Sequence, residues 1–278
     1  MQWSGGTEES GVMEEGQRGD GEEQKRERGV GRKGRQLRLG RDVDAVIESN
    51  VVGTGRTGPR RDRDLELVRY VGRQGLVRIG HVIAAMDAGR SVTYDRVAAC
   101  VEAGLLERLE LLRSEPGLLR ATRDGLRYAG LGLPVATISP GAVDHWLRCA
   151  TTAQLLGKHF GHDRVLTERE LVLAEQIAER PIASATVGEH HSGRPRLHRP
   201  DLAVLADQGT IAIEVELTPK APRRLQGLIR AWRRTIASGV VAEVHYHCAP
   251  GQTRRALERA VARVKAEKFI AISEAVAR

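Results

Sequence analysis

The sequence predicts a chain of α+β and α/β character: a helix-rich N-terminal unit closed by a β-hairpin, then a mixed sheet covered by helices on both faces. Three observations predict it. Residues 64–130 run helix, helix, helix, strand, strand, helix by the spacing of their apolar positions. Thr210 to Leu217 alternates with the two-residue period of a strand. Leu225, Ile229, Trp232 and Ile236 then recur with the period of a helix.

Residues 1–63 read as a disordered charged tail and linker. Residues 1–27 hold eight acids and three bases, and residues 28–41 hold six bases and no acid. Such blocks bury too little apolar surface to offset the entropy of ordering. The basic block serves either as a phosphate-binding arm or as a solvated tail. Gly53 to Arg63 reads as a linker.

Residues 64–134 form the first predicted unit. Asp64–Gln74 and Ile79–Met86 carry helical spacing. Ser91 is placed to cap a third helix that stops at Gly104. Leu105–Leu112 and Leu118–Ala121 read as strands around a Glu115-Pro116-Gly117 turn, and Arg123–Leu131 as a closing helix. Three helices and a hairpin in this order form a winged helix-turn-helix pattern, in which the third helix enters a major groove. Its early positions Thr93, Tyr94 and Arg96 then reach DNA, with Arg113 and Arg120 flanking the wing. The alternative is a unit of the same shape used for protein contacts.

Residues 144–278 form the second unit. Asp144–Gly161 reads as a helix with Trp146, Leu147, Leu155 and Leu156 inward. Thr167-Glu168-Arg169-Glu170 is a capping box, with Glu170 as an alternative site carboxylate. A strand is expected near Ile182–Val187. The loop from Gly188 to His198 holds three histidines, suited to DNA contact or to solvent rather than to zinc, because adjacent His190 and His191 diverge. Asp201–Ala206 and Thr210–Leu217 are strands joined by Asp207-Gln208-Gly209, a hairpin sequence. Pro222 opens a helix with Arg223, Arg230 and Arg234 on a stripe apart from its apolar face, placed either for the phosphate backbone or for solvent. Val240–Cys248, Gln252–Glu267 and Phe269–Ile272 complete the pattern as strand, helix and strand.

The chemistry concentrates on the hairpin. Glu214 and Glu216 share one strand face with Ala212, and Asp201 opens the preceding strand. Three converging carboxylates repel one another unless a cation joins them, and oxygen clusters of this kind suit magnesium or manganese. The pattern resembles the PD-(D/E)XK nuclease motif, with Asp201 as the first acid and Glu214 as the second. The resemblance implies a restriction-endonuclease-like domain over 144–278. It implies Asp201, Glu214 and Glu216 as metal ligands and Lys220 as the catalytic cation. The sequence departs from the motif at Glu216, where the family carries lysine, and Lys220 lies four positions further on.

Glu115-Pro116-Gly117, Arg123-Asp124-Gly125-Leu126, Thr167-Glu168-Arg169-Glu170-Leu171, Arg199-Pro200-Asp201 and Glu214-Val215-Glu216-Leu217-Thr218-Pro219-Lys220 occur in that order. Together they resemble the actinobacterial replication-relaxation family, over roughly 64–278. The resemblance implies a DNA-binding protein of a plasmid or integrative mobile element, active in replication or transfer or its regulation. It implies double-stranded DNA and proteins of the replication or transfer machinery as partners. The missing lysine at 216 ranks a degenerate nuclease-like domain ahead of a divalent-metal-dependent endonuclease.

Composition agrees with an anionic partner. The 278 residues carry a formal charge of +8 and a pI of about 9.8. Aromatic residues make up only 3%, which argues against base-stacking platforms for single strands. Cys100, Cys149 and Cys248 are too sparse for a disulfide framework and suit a reducing cytoplasm. No apolar run approaches the roughly 20 residues of a membrane span.

Overall fold

The computed structural model describes residues 59–86, 88–111 and 117–276. The charged tail up to residue 58, and Arg113, Glu115 and Pro116 of the expected wing, lie outside the described residues. The chain is mixed α+β, with one antiparallel and one mixed sheet and a separate two-stranded ribbon.

Helix α1 (Pro59–Gln74) starts five residues inside the stretch read as linker. Proline suits a first turn, where its missing N–H costs no helical bond. Leu67, Val68 and Val71 are buried along one face. Strand β1 (Val77–Arg78), helix α2 (Ile79–Met86) and helix α3 (Arg90–Glu102) follow. The expected Ser91 cap is not formed: Gly89 holds the cap position and Ser91 lies in the first turn. Strands β2 (Leu106–Leu109) and β3 (Leu118–Ala121) pair antiparallel, and β1 joins on the far side of β3. Helix α4 (Arg123–Tyr128) is capped by Thr122, whose hydroxyl accepts the Gly125 amide at 3.0 Å. Gly125 has a packing reason: a Cβ there would stand 1.9 Å from the Leu105 carbonyl oxygen.

Helix α5 (Val143–Phe160) buries Val143, Leu147, Ala150, Ala153 and Gly157. Leu155, expected inward, is 45% exposed because it projects from the flank of that stripe. The capping box of helix α6 (Glu168–Ala178) is present in full. Immediately before it, β4 (Val165–Thr167) pairs with β7 (Leu202–Ala206). This strand forms one edge of the five-stranded sheet, which the strand expected near Ile182–Val187 does not join. Those residues run instead into β5 (Ala185–Glu189), which among the described residues pairs only with β6 (Pro195–His198). The remaining elements are β8 (Gly209–Glu216), α7 (Pro222–Ala237), β9 (Glu243–Cys248), α8 (Gln252–Val264) and β10 (Ile270–Glu274).

The five-stranded sheet has the order β10-β9-β8-β7-β4. Strands β8, β9 and β10 run parallel, whereas β7 is antiparallel to both β8 and β4. Ala203, Ala212, Val244 and Tyr246 face one core with residues of α6, α7 and α8. Leu202, Val204 and Ile213 face a second core with Ala153 and Leu156 of α5. Both faces of β8 are therefore covered, and its acids are not solvated: Glu214 and Glu216 are 3% and 6% exposed.

Helix α5 also ties the N-terminal unit to the sheet. Val143 and Leu147 share a core with Leu76 and Leu118. The Gln154 amide donates to the His81 carbonyl at 2.5 Å. Arg73 of α1 pairs with Glu170 at 2.5 Å and donates to the Val165 carbonyl at 2.7 Å. Glu170 thus caps α6 and holds the joint through Arg73.

Candidate functional site

The β7–β8 hairpin sets the site. Leu202 pairs with Ile213 and Ala206 with Gly209, leaving Asp207 and Gln208 as the turn. That register brings Asp201, one residue before β7, level with Glu214. A one-residue slip would turn both acids to the wrong faces. Asp201 accepts the Val215 amide at Oδ2 over 2.6 Å and the His145 Nε2–H at Oδ1 over 3.0 Å. Glu214 accepts the His198 Nε2–H at Oε1 over 2.6 Å. An ionised carboxylate only accepts, so the shared proton sits on each ring nitrogen. Glu216 is paired with Lys220. The chain after β8 therefore doubles back and places the displaced lysine beside the acid that replaced it.

The expected mutual repulsion of Asp201, Glu214 and Glu216 is relieved from within the chain. Each acid has its own basic partner: His145, His198 and Lys220. Burial pulls the Lys220 ammonium pKa down, and the charges of Glu214 and Asp201 act against that. Burial also lowers the His198 pKa, but the hydrogen bond and charge of Glu214 outweigh it and the net shift is upward. For His145 the hydrogen bond to Asp201 is the largest influence and raises the pKa.

Four contributors were not expected: His145, Cys149, Glu168 and His198. His145 and Cys149 lie four residues apart and so share one face of α5. Cys149 Sγ is 3.5 Å from His145 Nε2. Burial, followed by the charges of Asp201, Glu168 and Glu214, pushes the Cys149 thiol well above its ordinary pKa. Glu168, at the N-terminus of α6, is raised by burial and then by Asp201. Its backbone N–H donates to the Asp201 carbonyl at 2.9 Å. Among the described residues, His145, Cys149 and Asp201 are the set of three ligand-type side chains whose donor atoms all lie within 4.8 Å. Glu214 and Glu216 are not drawn into it. A cavity of about 30 Å³ opens beside the set, lined in part by Trp146, Thr167 and Glu168. The i, i+4 pair on α5 was the one signal in the sequence that marked this group.

The predicted DNA contacts separate into two groups. Thr93 is 1% exposed and bonds back to the Gly89 carbonyl at 3.1 Å, so it belongs to the core. Arg96 pairs with Asp64 at 2.6 Å. Arg120 pairs with its cross-strand neighbour Glu107 at 2.8 Å and donates to the Ala136 carbonyl at 2.7 Å. These three positions were expected to face outward; apolar packing and local ion pairs use them instead. Tyr94 is 40% exposed, and Arg90 at the start of α3 is exposed. Arg113 lies outside the described residues. On α7, Arg223, Arg230 and Arg234 are exposed while Leu225, Ile229 and Trp232 are buried. His190 and His191 are exposed in the β5–β6 connection.

Among the described residues no helix is long and apolar enough to cross a membrane. No protein-family model matches the chain, and no curated protein matches it significantly in sequence.

Proposed function

We propose that this chain is a cytoplasmic, double-stranded-DNA-binding protein of a plasmid or integrative mobile element, of the replication-relaxation type. In this reading residues 64–134 are a winged helix-turn-helix, and residues 144–278 are a degenerate PD-(D/E)XK nuclease-like domain. It acts in replication or transfer, or in their regulation, beside other proteins of that machinery.

The observation that carries the DNA-binding reading is topological. Helix, strand, helix, helix, strand, strand, with the last strand central in the sheet, is the order of a winged helix. Helix α3 then supplies Arg90 and Tyr94 to the groove. The arginines of α7 supply a second phosphate contact. The pairing of every hairpin carboxylate with its own base supports a core whose acids do not depend on magnesium or manganese to relieve their repulsion. Gel-shift titration of the full chain against duplex DNA at increasing salt tests the reading. A steep loss of affinity with salt is expected; the absence of any shift at low salt would remove it.

One observation favours the endonuclease alternative. Lys220 is held at the end of β8 by Glu216, close enough for the charges of Glu214 and Asp201 to favour its ammonium form against burial. Two carboxylates level on one hairpin offer oxygens to magnesium or manganese, and a bound divalent ion supplies an activated water. In that reading Asp201 and Glu214 hold the ion, and Lys220 leaves Glu216 to steady the developing phosphate charge.

A further inference from the structure

We infer that His145, Cys149 and Asp201 form a binding site for a borderline-soft divalent transition metal of the zinc or cobalt(II) class. The inference does not rest on DNA binding or cleavage, and it differs from the hard-cation site expected of the hairpin acids.

The donor set carries the chemistry. Thiolate and imidazole select zinc-like ions, whereas magnesium prefers oxygen alone. The spacing fits as well. With metal–nitrogen and metal–oxygen bonds of about 2.0 Å and a metal–sulfur bond of about 2.3 Å, tetrahedral neighbours lie roughly 3.3–3.6 Å apart. Here His145 Nε2 is 3.0 Å from Asp201 Oδ1 and 3.5 Å from Cys149 Sγ, and all three donor atoms lie within 4.8 Å of one another. Both separations from His145 Nε2 lie within tenths of an ångström of the tetrahedral values, and the Asp201–Cys149 separation is bounded at 4.8 Å.

The surroundings are those of a held ligand set. His145 and Cys149 are fixed on consecutive turns of one helix. Asp201 keeps its second oxygen on the Val215 amide, which aims the first at His145. Glu168 lines the adjoining cavity together with the three ligands. The adjoining cavity of about 30 Å³ leaves a fourth position for water. On binding, Cys149 releases its thiol proton to solvent and becomes a ligand as thiolate. His145 becomes a neutral ligand with its proton on Nδ1: the imidazolium releases the Nε2 proton to solvent, or the neutral ring exchanges it through solvent for one on Nδ1, and the ion takes the place between Nε2 and Asp201. Three protein ligands with one open position is the arrangement of reactive rather than purely structural zinc sites.

The test is cobalt(II) titration of the untagged full chain without DNA, followed by zinc competition. One equivalent of cobalt should give tetrahedral visible bands and a near-ultraviolet thiolate charge-transfer band, both erased by zinc and unaffected by excess magnesium. Cys149→Ser should lose the charge-transfer band, and His145→Ala and Asp201→Asn should each weaken binding at least tenfold. The double variant His190→Ala/His191→Ala should bind as the parent does. Circular dichroism of each variant separates lost ligands from lost fold. A parent protein without the charge-transfer band, or a folded Cys149→Ser protein that retains it, would overturn the assignment. Either result leaves the gel-shift outcome unaffected.

Discussion

Arg199 Nε lies 3.0 Å from Glu175 Oε2, and this pair anchors the chain two residues ahead of Asp201. Glu175 is 4% exposed and also accepts the amides of Ile182, Ala183 and Ser184 and the Ser184 hydroxyl. One buried carboxylate thus closes the turn after α6 and positions the start of β7. Glu175→Ala should destabilise the protein by about 3–5 kcal/mol, since it strands three amides and a guanidinium. Urea unfolding checks this; a loss below about 1 kcal/mol would show that the knot is dispensable.

The His198–Glu214 bond makes stability depend on pH. The folded His198 pKa is raised, so its contribution is complete below the ordinary histidine value of about 6.5 and is lost as pH rises through the folded value. The stability difference between the parent and His198→Gln should be largest on the acid side of that window and should shrink above it. Thermal melts across pH 5.5–8.5, a range of roughly one unit below to two above the ordinary value, would contradict this if the difference grew with pH.

His81 behaves in the opposite sense. Burial, with a smaller contribution from Arg78, lowers its pKa to about 4. The neutral ring accepts the Arg78 amide at Nδ1 over 3.1 Å and donates from Nε2 to Thr151 over 2.9 Å, across the joint between α2 and α5. A lowered folded pKa gives stability that is present above the ordinary value and lost as pH falls from about 6.5 toward 4. Acidification over that window should cost the parent on the order of 1–2 kcal/mol more than His81→Gln, after allowance for partial exposure. Equal acid sensitivity in the two proteins would place the acid-labile group elsewhere.

Arg96 and Tyr94 should separate in function. Arg96→Ala removes the Asp64 pair and should lower stability by about 0.5–1 kcal/mol. Tyr94→Ala and Arg90→Ala touch exposed side chains and should weaken duplex binding several-fold with melting temperatures unchanged. Paired gel shifts and melts give both readouts.

Lys220 and Glu216 should tolerate exchange better than single change. Glu216→Lys alone sets two ammonium groups side by side in a largely buried site and should cost several kcal/mol. The exchange Glu216→Lys/Lys220→Glu restores the pair and should recover most of that loss. With magnesium, the parent should leave supercoiled plasmid uncut. Rapid nicking by the parent, abolished in both Asp201→Ala and Lys220→Ala, would establish the endonuclease reading instead.

Local chemistry was legible in the sequence. The capping box at Thr167–Glu170, the hairpin across Asp207 and Gln208, the alternation through Glu216 and the two faces of α7 all depend on neighbours within a few residues, where spacing alone sets direction. Tertiary structure decided what each face meets. Alternation placed Glu214 and Glu216 together, but only the cover from α6, α7 and α8 made that face an interior. The partners His145 and Asp201 stand 56 residues apart, and Arg96 and Asp64 stand 32 apart, separations at which periodicity carries no information. The same holds for β4: three residues ahead of a helix give no periodic signal, and their place at the sheet edge comes from pairing with a strand about 40 residues away. Burial then fixed the chemistry, because an acid in the interior must find a base, and the chain folds so that each one does.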